Sequence, residues 1–318
     1  MTPSLFEEPP RFDRAGLAAR LHRLASQNVY VGTSSWKYEG WLDQIYTRER
    51  YYSRGRFSQK RFEETCLREY AEVFPAVCGD FSFYQFPSEA YWRKLFEPVP
   101  SHLLFAFKVP EEITVRQWPS HARYGPRAGL ANESFLNPRV FEEGFAAPLA
   151  PYRQRVAALL FEFGTFPRSC YESVDGFLTD LDPFLAALPP GYRYAVEIRN
   201  REFLVPEYLQ CLRRHNVAHV FTAWARMPGI ARQLDQPDVF TADFTVARAL
   251  LREGRAYERA VEAFSPYREI RDENPETRQA LKELVGAGLK TRRPTFLFVN
   301  NRLEGNAPMT IEGVVAGF

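Results

Sequence analysis

The chain repeats one local grammar: a short apolar run that ends in a polar or charged group. Leu104-Phe105-Ala106-Phe107 ends in Lys108, and Ala158-Leu159-Leu160-Phe161 ends in Glu162. Tyr194-Ala195-Val196 leads to Glu197 and Arg199, and Phe296-Leu297-Phe298-Val299 ends in Asn300 and Asn301. Alternate residues of a strand share a face, so Glu197 and Arg199 point the same way. A carboxylate and a guanidinium at the end of a buried strand are costly unless paired or used. Four such runs suggest one site at one end of one sheet.

The runs belong to a longer alternation. Strand candidates fall at 29–36, 77–84, 103–108, 156–163, 193–198, 217–222, 239–244 (the weakest) and 295–300. Between them lie segments with helical spacing. Leu17, Leu21 and Leu24 mark a helix over 13–27, and Phe62, Cys66, Tyr70, Val73 and Phe74 mark one after residue 61. Further helices are expected over 88–97, 174–188 and 205–215, with a charged helical region over 245–288. Eight strands alternating with helices argue for a parallel sheet with crossover helices. Eight such repeats in 318 residues favour a closed α/β barrel, TIM-like (β/α)8, as a single domain over residues 13–318. Residues 1–12 read as a loose N-terminal arm. No GxGxxG follows the first strand, which argues against a dinucleotide fold.

Composition narrows the partners. Hydrophobic residues make up 45% of the chain, enough for a large core, and net charge is +2, so no global field selects nucleic acid. Polyanion binding would need a local patch. Cys66, Cys78, Cys170 and Cys211 show no CxxC spacing and read as reduced thiols of the core. The five histidines are scattered and no H-E-x-x-H occurs, so neither a metal nor a cofactor is expected. No apolar run approaches the roughly 18 residues of a membrane span, and Met1 to Pro10 does not resemble a signal peptide. A cytoplasmic protein without a membrane partner is the expectation; composition leaves the oligomeric state open.

Two segments carry basic and aromatic residues together. Residues 47–61 contain Arg48, Arg50, Tyr51, Tyr52, Arg54 and Arg56, and read as a surface loop. Residues 110–135 form a long connection with Arg116, Trp118, His121, Arg123, Tyr124 and Arg127. Long connections of this kind are functional or disordered. This one reads either as a lid over an anion or as a solvated excursion.

Several blocks, in order, resemble the family known as domain of unknown function 72 (the YecE-like proteins). They are Gly32-Thr33-Ser34-Ser35-Trp36 with Tyr38 and Trp41; Tyr70-Ala71 with Phe74; Phe83-Tyr84 with Pro87-Ser88; Phe105-Ala106-Phe107-Lys108; Val196-Glu197-Ile198-Arg199; and Asn300-Asn301 with Gly305 and Ala307-Pro308. The resemblance runs from about residue 29 to 315. It implies a TIM-barrel-like fold and little about activity. The family's barrel is similar to those of endonuclease-IV-like and sugar-isomerase-like enzymes, a likeness of fold only. The chain departs from the family pattern at Val77-Cys78-Gly79-Asp80, Thr114-Val115 and Glu162-Phe163-Gly164. The family's Arg-x-His-Gly seventh strand is missing; Arg248, Arg252, Gly254 and Tyr257 stand in that region. The chain therefore reads as a divergent member.

In a parallel barrel the working face lies at the C-terminal strand ends. Lys108, Glu162, Glu197, Arg199 and Asn300 are expected to converge there around a small anionic ligand containing a sugar or a phosphate. Were the site catalytic, Glu197 would be the acid/base, with Glu162 beside it and Lys108 and Arg199 neutralising charge. The alternative for Glu197 and Arg199 is an ion pair that fixes the barrel mouth, and for Lys108 a salt bridge to Glu162 or Glu197. Two carboxylates also suit glycoside hydrolysis, but neighbouring cations hold both ionised, whereas that chemistry needs one raised pKa. Asn300 and Asn301 suit the orienting of oxygens, or a turn and cap. Trp36, Tyr38 and Tyr84 are rim candidates for ligand contact, with Trp41 and Phe83 beside them unless they belong to the core. Two other functions stay open: nucleic-acid binding through the 47–61 and 110–135 loops, with Tyr51, Tyr52 or Trp118 stacking on bases, and a non-catalytic interaction protein.

Overall fold

The computed structural model describes residues 12–318, so all but the last residue of the expected N-terminal arm lies outside it. Eight parallel strands close into a barrel. They are β1 (Val29–Thr33), β2 (Ala76–Gly79), β3 (Leu104–Lys108), β4 (Val156–Phe163), β5 (Tyr194–Ile198), β6 (Ala218–Ala223), β7 (Thr245–Ala249) and β8 (Thr295–Val299). Each pairs with its neighbours in chain order, and β8 closes on β1 through Val29–Thr33 against Thr295–Val299. Helices fill the crossovers. Local chemistry starts several of them: Ser58 and Ser88 cap the helices Gln59–Tyr70 and Glu89–Phe96. Asn274 and Asn306 cap Pro275–Thr291 and Ala307–Val315, each with proline in the first turn. No described helix is long and apolar enough to cross a membrane.

The strand pleat sorts side chains into two cores. The outward set, including Val31, Phe105, Phe107, Leu159, Phe161, Val196 and Leu297, packs under the helices. The inward set includes Ala76, Cys78, Ala106, Ala158, Leu160, Ala195, Val220 and Val246. Alanines and Cys78 make up much of this set, while Phe244, Phe296, Phe298 and Tyr30 add bulk, with Tyr30 and Phe296 stacked 5.2 Å apart. All four cysteines are free; Cys66, Cys78 and Cys211 are buried and Cys170 is half-buried.

The seventh strand is not where the sequence pattern suggested. Residues 239–244 are irregular, and Phe244 joins the interior core. The strand begins at Thr245 and runs through Arg248 into a region that reads as helical from its charge. A guanidinium in mid-strand is tolerated because three carboxylates meet it inside the barrel. The second strand is also shorter than expected, ending at Gly79 before a single turn of 3-10 helix, Phe81–Phe83. Nor is 47–61 a plain loop. It holds a helical turn, Arg48–Tyr51, and a small hairpin, Tyr52–Ser53 with Arg56–Phe57. Buried Glu69 draws it down, accepting from the Thr47 amide at 2.9 Å and the Tyr51 hydroxyl at 2.6 Å.

Candidate functional site

The interior parity continues one step past the apolar layer on almost every strand. Two residues beyond Cys78, Ala106, Leu160, Ala195, Val220, Val246 and Phe298 stand Asp80, Lys108, Glu162, Glu197, Thr222, Arg248 and Asn300. The pleat therefore builds a polar layer at the C-terminal barrel mouth from seven different strands. Arg199, two residues past Glu197, adds the next step up.

These groups form one ion network. Glu162 and Glu197 are direct partners in the β4–β5 register. Arg248 bridges them, with Nη1 2.5 Å from Glu162 Oε2 and 2.5 Å from Glu197 Oε2, and reaches Asp80 at 3.2 Å. Arg199 Nη2 lies 2.6 Å from Glu197 and 3.1 Å from Glu162. Lys108 Nζ lies 3.1 Å from Glu162 and 3.7 Å from the centre of the Phe83 ring. Thr222 donates to Glu197 at 2.9 Å. Three cations thus meet three carboxylates. Burial opposes ionisation of Glu162, but Lys108, Arg199 and Arg248 outweigh it and hold its carboxyl well below the usual range. Burial likewise works against charge on Arg248, and Glu197 above all keeps it protonated. Beneath the network, burial pushes the Cys78 thiol up to about 12, so it stays protonated.

A cleft of about 440 Å³ opens above the network. Lys108, Glu162, Arg199, Arg248, Asp80 and Asn300 line its floor. Its walls are aromatic: Trp36, Tyr38, Phe83, Tyr84, Tyr91, Trp224 and Tyr257. Lys37 and Arg302 add positive charge at the rim. The Arg199 guanidinium lies 3.9 Å from the Trp224 ring, and its Nη1 is buried without a hydrogen-bond partner.

The expected residues divide as follows. Lys108, Glu162, Arg199, Asn300, Trp36, Tyr38 and Tyr84 line the cleft. Glu197 does not. It is fully buried and sits behind Arg199 and Arg248, where it orients both. Asn301 also turns away. Its Oδ1 accepts from Trp41 Nε1 at 3.2 Å and from the Ala307 amide at 2.8 Å, so it ties the loop after β8 to the next helix. Trp41 is wholly buried and belongs to the core. Arg248, the centre of the network, is named from sequence only in the region of the missing seventh-strand motif and not among the site candidates. The signal was present: Val246 and Arg248 repeat the apolar-then-charged spacing of the other strands. Asp80 follows the same spacing two residues past Cys78, whereas Trp224, Tyr91, Tyr257, Lys37 and Arg302 come from loops and helices that no local pattern directs to the cleft.

The two basic segments look different in three dimensions. Arg116 pairs with Asp180, Arg123 with Glu111 at 2.9 Å, and Arg127 with Glu112 at 3.0 Å. Trp118 and Tyr51 are buried, and Arg127 stacks on Trp118 at 4.3 Å. Arg48 and Arg50 pair with Asp43 and Glu72. These cations are met by the protein's own carboxylates, and neither of those rings is presented for stacking.

A family model described as a protein of unknown function, DUF72, matches residues 30–316. Among solved structures, a DUF72 family protein from Thermotoga maritima is 24% identical with a TM-score of 0.59, covering 89% of this chain and 96% of that one. A second, from Enterococcus faecalis, is 17% identical with a TM-score of 0.57, covering 91% and 95%. At these identities the likeness concerns the fold. No curated protein matches the sequence. The family match spans nearly all of the barrel and its mouth, and the chain belongs to the DUF72 family, whose function is unknown.

Proposed function

We propose that the cleft at the barrel mouth binds a small anionic ligand containing a sugar or a phosphate. The observation that carries this reading is the charge around the cleft. The inner network balances itself, three cations against three carboxylates. Lys37 and Arg302 then stand at the rim with no carboxylate partner among the described residues, and Lys108, Arg199 and Asn300 line the floor. A ligand anion meets net positive charge at the rim and directional donors on the floor. The aromatic walls fit a ring face. Of the four large apolar or aromatic side chains that stand exposed among the described residues, Tyr84, Tyr91 and Tyr257 all lie on this cleft. Its volume falls within the roughly 300–1,000 Å³ of small-molecule sites.

Within this reading Glu197 is a positioning residue that holds Arg199 and Arg248 in place. The ionisable pair that faces the ligand is Lys108 and Glu162. Glu162 is held ionised by the cations around it, so the pair supplies fixed charge to the cleft floor rather than a proton.

Titration calorimetry with a hexose 6-phosphate, the free hexose and inorganic phosphate tests the proposal. The phosphorylated sugar is expected to bind, more weakly as salt rises. Replacing both rim cations, Lys37→Glu with Arg302→Glu, should weaken it at least tenfold, with Tm measured alongside because Arg302 is half-buried. Equal binding of the free hexose, or no binding of any anionic probe, would sink the reading.

A further inference from the structure

The mouth cleft does not end at its own wall. A second hollow, about 650 Å³, runs between the helices Gln59–Tyr70 and Glu89–Phe96. The two share Trp36, Lys37 and Tyr91 as lining residues, so the groove continues the cleft outward past Tyr91. Its chemistry differs from that of the mouth. Leu67, Leu95, Pro98 and Val99 give it an apolar floor. Above them stand Lys60, Arg68 and Lys94, together with the shared Lys37. Glu63 and Glu64 line the same groove, yet none of the four cations forms a salt bridge with a described carboxylate. Arg68 instead donates Nε to the Pro98 carbonyl at 3.1 Å, which fixes its guanidinium beside the floor. Elsewhere on this surface arginines do find acids, as Arg50 does with Glu72 at 2.8 Å.

We infer that the ligand of the mouth is elongated and carries a second anionic group, which lies in this groove against Lys60, Arg68 and Lys94. The inference rests on the proposed anion site at the mouth and specifies its ligand as a small bis-anionic molecule. One anionic group sits over Arg199 and Lys108. A spacer crosses Trp36 and Tyr91, whose rings form the shared wall. The second anion reaches the groove cations, with Lys37 placed between the two sites. Two linked contacts bind more tightly than either alone because the second forms at high effective concentration.

A length series of linear polyphosphates tests this by calorimetry, from pyrophosphate through tripolyphosphate to chains of about ten phosphates, a span set by reach rather than sequence. The wild-type protein is expected to gain at least tenfold in affinity once the chain is long enough to leave the mouth. The Lys60→Glu/Lys94→Glu variant should lose that gain and keep pyrophosphate affinity within about twofold, a difference of under ~0.5 kcal/mol. Both replacements lie on exposed helix faces, so the fold is retained. Failure of pyrophosphate and every longer chain to bind overturns the mouth reading and this one together. Binding of pyrophosphate with no gain along the series, or a gain that survives in the variant, overturns the two-anion ligand alone.

Discussion

Arg248→Met is the most direct probe of what holds the barrel mouth. Arg248 is 2% exposed and contacts Glu162, Glu197 and Asp80. Methionine keeps much of the side-chain volume, so the change removes charge and donors more than packing. Glu197 would keep Arg199 and Thr222, and Glu162 would keep Lys108 and Arg199. Deleting one partner of a buried ion pair costs about 3–5 kcal/mol. At about 2 °C per kcal/mol for a chain of this size, Tm should fall by about 6–10 °C. The pH dependence has a definite sign. Glu162 has a depressed folded-state pKa, so its stabilisation is present above the unfolded carboxylate value and is lost as pH falls through the folded one. Removing Arg248 raises that folded pKa. The gap between variant and wild type is therefore widest at neutral pH and narrows on acidification. Urea unfolding at pH 7.5 and at about pH 4, below the unfolded carboxylate value, reads both effects without screening the charges. Adding Glu197→Gln should recover at least about 1 kcal/mol, the mark of a coupled pair. A variant within about 0.5 kcal/mol of wild type at pH 7.5, the range of an uninvolved surface site, would refute the reasoning. So would a deficit that grows as pH falls.

Other expectations follow from single contacts. Burial depresses His219 to about 4, so the unfolded chain binds a proton that the folded one refuses between about pH 6.5 and 4. Stability should fall over that window by roughly 3 kcal/mol, and His219→Gln should remove this part of the pH profile in urea titrations. Asn301→Ala strands the Trp41 indole N–H and the Ala307 amide. It should cost about 1–3 kcal/mol of unfolding free energy in urea while leaving hexose 6-phosphate affinity unchanged, whereas Arg199→Met should lower that affinity. A methyl group on Gly32 would lie 1.8 Å from the Ala76 carbonyl oxygen. Since a backbone atom cannot swing aside, Gly32→Ala should open the β1–β2 junction and cost about 3 kcal/mol, visible as a lowered melting temperature. Near-wild-type melting would mean that the junction is looser than this approach implies.

The sequence by itself determined the parts of this protein that depend on nearest neighbours along the chain. The pleat alone puts Glu197 and Arg199 on one face, and they meet at 2.6 Å. The alternation of strands and helices was legible because burial imposes a period on each segment. The convergence of Lys108, Glu162, Arg199 and Asn300 was legible because each closes an apolar run at the same strand end. Where the seventh strand lies was not, since a charged residue in mid-strand makes sense only with its partners in view. Those partners are remote: Asp80 and Arg248 are 168 residues apart. Barrel closure decided that contact, and with it which polar residues face the cleft. It set Glu197 behind two arginines, turned Asn301 into a brace and sent Trp41 to the core while leaving Tyr84, Tyr91 and Tyr257 at the mouth. Local patterns record which groups must leave the apolar layer. Only the packing of distant segments against one another fixes what each of those groups meets.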